Sequence, residues 1–359
     1  MATNDRINNR RGLKNVLVVR FSAITVVVLT IQVVYSVCRY YSEVNFYLVT
    51  RPSMTSIFVN APKNLKVIGV DVKNQYKGFG GMRALLNEMR RDYNIDAFVD
   101  LQDDKRSRMM RLLCHLHRIP TSSINEGQGN SRALIRPNNK VMLPLTSMIS
   151  RYRETFFRMG LPMQEQFEGL YGKGKADSKV FADITAPKDE DEIWIGIAPF
   201  AKHKGKVYPL ELMQKVIADL SQITHAKIFL FGSEAEKAQL GEIVQKYDRV
   251  VSVAERHYGF AIEMELMSHL DVMLSMDSAN MHLASLVGTT VVSIWGATHP
   301  YCGFKGWRQL ESNTIQLPMT CRPCSMFGDK PCSKGDYHCL AGIPSQVVIE
   351  KIRTLIIKD

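Results

Sequence analysis

Asp277, Ser278 and His282 open one helix-like stretch, and Gly296-Ala297-Thr298-His299-Pro300 follows the next strand. Residues of these types at strand ends suit the binding of a phosphate or pyrophosphate. Val272 to Met276 is a short apolar run that stops at Asp277 and Ser278, both residue types that cap helices. The backbone N–H groups that follow, at Ala279 to Met281, have no partner within a helix and form its positive end. His282 stands about one turn in, on the face that looks back at the cap. Gly288 closes the helix, and Thr290 to Trp295 reads as a strand. An ordinary strand–helix–strand unit without a ligand is the plainer reading of the same pattern. The polar residues, however, all fall at strand ends, where open α/β sheets place ligands.

Two more polar groups lie at strand ends. Lys202, Lys204 and Lys206 crowd the loop Pro199 to Pro209, which offers charge to a phosphate or is a solvated basic loop. Arg106, Arg108 and Arg111 follow Asp100-Leu101-Gln102 and suit an anionic substrate, or a solvated helix face.

The elements that must position these groups alternate along the chain. Strands are expected at Val16 to Val19, Asn45 to Val49, Val67 to Val70 and Ala97 to Leu101, with helices at Val26 to Tyr40, Met82 to Arg91 and Lys105 to His117. Glu126 to Pro144 is polar and irregular, and Thr146 to Met159 is a helix stopped by Gly160-Leu161-Pro162. The alternation resumes after Pro187 to Glu192, the expected linker. Strands are expected at Trp194 to Ala198, Ala226 to Phe231 and Val250 to Val253, and helices from Pro209 to Leu220, Ala235 to Tyr247, Phe260 to Ser268 and Ser345 to Ile357. Such alternation predicts an α/β fold of doubly wound parallel sheets.

The 359 residues suit two domains, and 45% apolar with 23% charged residues is a globular composition. A net charge of +11 suits a polyanionic partner. No arginine-rich tract with interleaved aromatics points to nucleic acid. Seven cysteines, an odd number, argue against a simple disulfide framework. Four of them, Cys321, Cys324, Cys332 and Cys339, cluster at spacings that can hold a metal but do not form two clean C-x-x-C pairs. Reduced cysteines in a loop-rich stretch are the simpler account. Residues 1–14 read as a loose basic tail. Phe21 to Cys38 is nearly uncharged and follows Arg10, Arg11, Lys14 and Arg20, as a membrane anchor would; a turn and a buried helix explain it equally.

The run Asp277-Ser278-Ala279-Asn280-Met281-His282, then Gly288, then Gly296-Ala297-Thr298-His299-Pro300 resembles the signature of glycosyltransferase family nine, the heptosyltransferases. The resemblance extends from about Asn15 to the C-terminus. It implies a GT-B fold, two Rossmann-like doubly wound domains facing a central cleft. The expected domains are an acceptor-side one over 15–186 and a nucleotide-sugar-binding one over 193–344, with a C-terminal helix, 345–359, packing back toward the first. The resemblance favours the buried-helix reading of Phe21 to Cys38. It implies an inverting, metal-independent transfer of heptose or a similar sugar from an ADP-sugar donor, with no cofactor, to a lipopolysaccharide core acceptor. The expected partners are that donor, an anionic glycolipid acceptor and the cytoplasmic face of the inner membrane, held peripherally, and not nucleic acid. Lys206 matches the family's phosphate-binding lysine. Glu236, four after Gly232, matches the residue that meets the ribose, although it equally suits the start of its own helix. Asp277, Ser278, Ala279 and His282 would contact the phosphates and the transferred sugar.

The resemblance fails at one place. After the first strand the family reads Ser-x-x-Gly-Asp, and that Asp is the expected base. Here Ser22 is followed by Thr25 where Gly is expected and Val26 where Asp is expected. Valine accepts no proton, and losing a general base costs about two to four orders of magnitude in rate. Asp103 and Asp104, after the fourth strand, are the substitute candidates; Ser22, Arg106 and Arg108 are the expected acceptor contacts. A relative that binds nucleotide-sugar but transfers it poorly is the alternative.

Overall fold

The computed structural model describes residues 12–125 and 127–356. The expected basic tail, 1–14, falls almost wholly outside them. The chain divides into two compact units, each with one all-parallel sheet. The first runs to Glu126 and takes back Thr146–Glu168; the second is Gly127–Leu145 with Gly169 onward.

The first unit holds β1 (Asn15–Val19), α1 (Ile24–Tyr40), β2 (Asn45–Thr50), β3 (Leu65–Gly69), α2 (Gly78–Tyr93), β4 (Ala97–Asp100), α3 (Lys105–Leu116) and β5 (Thr121–Ser123), with α5 (Met148–Met159) added after an excursion. The strand order is β3-β2-β1-β4-β5. Leu17, Val19 and Phe98 form a core with Met82, Leu85, Leu86 and Met89 of α2, which recur at helical spacing. Asp104 caps α3 in a capping box with Ser107, and Ser147 caps α5. The apolar segment expected either to span a membrane or to be buried is buried: α1 hides Val26 to Cys38 and packs along α5. Among the described residues no helix is long and apolar enough to cross a membrane.

The second unit begins with α4 (Gln128–Ile135), in a stretch whose polarity predicts no helix. It continues with β6 (Ile193–Ala198), α6 (Leu210–Leu220), β7 (Ala226–Leu230), α7 (Lys237–Val244), β8 (Val250–Ser252), α8 (Phe260–Met267), β9 (Val272–Met276), α9 (Ala279–Leu286), β10 (Val291–Trp295), β11 (Thr314–Gln316), α10 (His338–Ala341) and α11 (Ser345–Ile356). The strand order is β11-β10-β9-β6-β7-β8.

Two expectations about domain organisation are corrected. The expected first domain reached residue 186, yet the chain changes unit at Gly169. Phe181 sets its ring edge-on to Trp194 and His269, and Leu170 N–H donates to Leu286 O at 2.9 Å, so this stretch is anchored to the second unit. The C-terminal helix was expected to return to the first domain. Instead Val348, Ile349, Ile352 and Ile356 of α11 enter the core of the second unit, and Arg353 pairs with Asp219 of α6 at 2.6 Å.

Candidate functional site

β6 and β9 are neighbours in the sheet, with Ile197 beside Leu274 and Ala198 beside Ser275. From β6 the chain winds outward through β7 and β8; from β9 it winds the other way through β10 and β11. The gap above the β6–β9 pair is therefore a topological switch point, where doubly wound sheets hold ligands. Lys206 follows β6 and Asp277 follows β9. Lys206 Nζ lies 2.9 Å from Asp277 Oδ2, and Thr298 Oγ1, after β10, donates to the same oxygen at 2.7 Å. Asp277 is only 3% exposed and the Lys206 side chain 14%. An ammonium has three N–H donors, so the pair leaves Lys206 with capacity for an anion.

Close backbone contacts hold this cluster. Ala297 N–H donates to Gly205 O at 2.7 Å, which joins the loop before Lys206 to the loop before Thr298. A Cβ on Gly205 would lie 2.8 Å from Ala297 Cβ, and one on Gly328 would lie 2.8 Å from Lys206 Cγ. Gly328 has φ +72°, a second reason for glycine there.

Ser278 is the N-cap of α9, with extended backbone, and no side chain caps the helix. Its Oγ lies 3.2 Å from Ser275 Oγ. The first-turn amides, Ala279 included, are left for an anion beside Lys206.

His282 is fully buried one turn into α9, and among the described residues neither ring nitrogen has a hydrogen-bond partner. Burial pushes its pKa down to about 4; Asp277 opposes that shift and Lys206 adds to it. His282 is thus neutral at pH 7. The unfolded chain, near 6.5, binds the proton first as pH falls, so His282 withdraws stability between about pH 6.5 and 4. Its full share is about 3 kcal/mol. Urea denaturation at pH 7 and pH 4.5 measures this, and His282→Gln is expected to flatten the difference; equal pH slopes for the two chains would refute it.

Glu236 lies after β7, one strand outward from Lys206. Its Oε2 accepts from Ser233 N–H at 2.6 Å and Ser233 Oγ at 2.9 Å, a capping box at a single 3-10 turn that precedes α7. The helix-start role that its sequence position also suited is therefore filled. Lys202 and Lys204 are exposed; the Lys204 ammonium lies 5.2 Å above the Tyr337 ring.

Sequence reasoning missed Arg322. Its buried guanidinium donates to Gly296 O, Leu317 O, Trp295 O at 3.1 Å, Thr298 O at 2.9 Å and Gln316 Oε1 at 3.0 Å. One side chain thus ties down the loop that carries Thr298. The signal was present, an arginine between Cys321 and Cys324, but the cysteines drew the reading. Those cysteines are free thiols; Cys324 Sγ lies 3.3 Å from Cys321 O, and Cys339 joins the apolar core. Among the described residues no group of three or more His, Cys, Asp or Glu side chains is arranged to hold a metal ion.

In the first unit, the Gln102 side chain organises the loop after β1. Its Oε1 accepts from Phe21 N–H at 3.0 Å and Ser22 N–H at 3.2 Å, and its Nε2 donates to Ser22 Oγ at 3.0 Å. Val26 is buried in the first turn of α1, and its carbonyl accepts from Tyr152 Oη at 3.1 Å. Asp104 accepts from Arg106 and Ser107 N–H as the cap of α3, and Arg106 lies 3.7 Å from its other oxygen. Asp103 holds Arg108 through both oxygens, at 3.1 and 3.0 Å, and Arg111 at 2.6 Å. Burial raises the Asp103 pKa, but the Arg108 hydrogen bond and the two guanidinium charges outweigh it, and the net shift is downward. A carboxylate so held is a weak proton acceptor.

The profile of glycosyltransferase family 9 (heptosyltransferase) matches residues 82–337. No curated protein matches the sequence. Among solved structures, a glycosyl transferase family 9 protein from Veillonella parvula DSM 2008 superposes with a TM-score of 0.73 at 14% identity, covering 96% of this chain and 97% of that one. The Escherichia coli ADP-heptose lps heptosyltransferase II gives 0.65 at 14%, over 95% and 98%. The E. coli heptosyltransferase WaaC with ADP gives 0.64 at 15%, over 95% and 99%. These similarities extend over both parallel-sheet units and match the expected GT-B type of fold.

Proposed function

We propose a donor and an acceptor for a chain that belongs to glycosyltransferase family 9 (heptosyltransferase) and is therefore a glycosyltransferase. The donor is an ADP-activated heptose or similar sugar, and the acceptor a hydroxyl of an anionic lipopolysaccharide-core glycolipid at the cytoplasmic face of a membrane. The observation that carries the donor reading is the Lys206–Asp277–Thr298 cluster at the β6–β9 switch point, beside the uncapped start of α9. In an inverting transfer the acceptor oxygen attacks the anomeric carbon as the bond to the phosphate oxygen breaks. Negative charge then grows on the ADP. Lys206 Nζ and the α9 amides, with Ser278 and Ala279 nearest, meet that charge. Asp277 keeps the ammonium in place, and Glu236 offers the ribose its Oε1, the oxygen not engaged in capping. Ser22, Arg106 and Arg108 are proposed to face the acceptor.

The proton of the acceptor hydroxyl needs a base, and position 26 offers none. With Asp104 engaged as a cap and Asp103 held by two arginines, these observations favour a second reading, a slow transferase that binds its donor well. One experiment treats both. ADP is expected to raise the melting temperature, and transfer from ADP-heptose to a lipopolysaccharide-core acceptor is measured for the wild type and Val26→Asp. A rise of about a hundredfold in Val26→Asp supports the slow reading. Fast wild-type transfer abolished by Asp103→Asn would instead assign the base to Asp103. No melting shift with ADP would refute the donor reading.

A further inference from the structure

Residues 127–145 form an excursion of the second unit with Arg132, Arg136 and Lys140 and no acidic residue. Within it Val141, Met142 and Leu143 are 40%, 42% and 65% exposed, and Pro144 is exposed beside them. A contiguous apolar run on a surface marks an interaction site more often than scattered apolar residues do. This run is also held in place at both ends. On one side Lys140 Nζ donates to Cys321 O at 2.7 Å and Pro323 O at 2.5 Å, and Val141 N–H donates to Ala133 O at 3.1 Å. On the other, Leu145 N–H donates to Tyr301 O at 2.9 Å. Both anchors lead directly to the donor cluster: Tyr301 follows Thr298 by three residues, and Cys324 N–H donates to Ala297 O at 2.7 Å. The apolar strap is therefore a fixed part of the loop system that carries Thr298.

We infer that this strap, Val141 to Pro144 flanked by exposed Arg132 and Arg136, docks on an anionic phospholipid bilayer. Apolar side chains that enter the headgroup boundary beside cations drawn to anionic lipid are the two attractions that hold a peripheral protein on a membrane. The absence of acidic residues in the excursion removes the main repulsion. Anchored as it is, the strap would bring the donor loop to the membrane plane rather than merely tether the chain. The inference rests on the proposed glycolipid acceptor for its purpose, but its test does not.

The full-length chain is sedimented with vesicles of phosphatidylethanolamine and phosphatidylglycerol (3:1) and, separately, of phosphatidylcholine. The wild type is expected to prefer the anionic vesicles. Val141→Ser/Met142→Ser/Leu143→Ser, which alters only exposed side chains, and Arg132→Glu/Arg136→Glu are each expected to lower that binding at least about fivefold. The ADP melting shift should stay unchanged, which reports that the variants are folded. Equal binding of wild type and triple variant overturns the inference, as does a wild type that ignores anionic vesicles. Loss of self-association in the triple variant, with no vesicle binding by the wild type, would overturn it in favour of a protein contact. An absent ADP shift with intact vesicle binding would sink the donor reading and leave the surface standing.

Discussion

Lys206→Met is expected to cost both stability and nucleotide affinity, and the two losses should separate in a double variant. Removing the ammonium leaves the Asp277 carboxylate buried with, among the described residues, only Thr298 as a side-chain donor. Breaking a buried ion pair from one side costs about 3–5 kcal/mol. For a unit of this size, 3 kcal/mol lowers the melting temperature by about 6–12 °C. Adding Asp277→Asn removes the stranded charge and should recover most of that loss. ADP affinity should not recover. A charge-assisted hydrogen bond to phosphate is worth about 1.5–3 kcal/mol, so affinity falls about ten- to a hundredfold in both variants. Calorimetric titration with ADP and thermal melts together check this. If the double variant binds ADP like the wild type, Lys206 does not meet the phosphates.

Arg322→Met should be more damaging than any change at the cysteines around it. The guanidinium satisfies four backbone carbonyls and the Gln316 side chain in a buried setting. Methionine is unbranched like the arginine stem but stops short of the guanidinium, and it satisfies none of them. Each stranded buried acceptor costs about 1–3 kcal/mol, and even with strong non-additivity the total should exceed about 4 kcal/mol. Arg322→Lys keeps the charge but only a fraction of the fork and should fall between. Cys321→Ser and Cys324→Ser, on partly exposed thiols, should each stay within about 1 kcal/mol. Urea denaturation orders the four, and a stability of Arg322→Met within 1 kcal/mol of wild type would refute the role assigned to the guanidinium.

Much of the scaffold was legible because parallel strands buried on both faces are written as near-continuous apolar runs, as in Asn15–Val19 and Val272–Met276. Lys206, Asp277 and Thr298 were legible one by one, from their places at strand ends. Their mutual contact was not. Lys206 and Asp277 meet because β9 lies beside β6, and strand order is a property of the whole sheet that no local pattern encodes. The start of α2 was hidden by Gly78, Gly80 and Gly81, poor helix formers that tertiary packing overrode. The short edge strands β5 and β11, three residues each, carry too little pattern to be seen. The placement of α11 was misjudged because its apolar face shows that it must be covered, not by which unit.

The adjacency of β6 and β9 also bears on how the chain matures. Between them in the chain lie β7, β8 and the helices that connect them, so their pairing closes a long stretch of chain. The Lys206–Asp277 pair is thus a long-range contact, closed at an entropic cost that local structure does not share. A nascent or partly unfolded second unit lacks that pair. If ADP is the ligand, as proposed, it would bind only the finished unit and draw the folding equilibrium toward it, so that a cell rich in donor would hold more of this chain in its completed form.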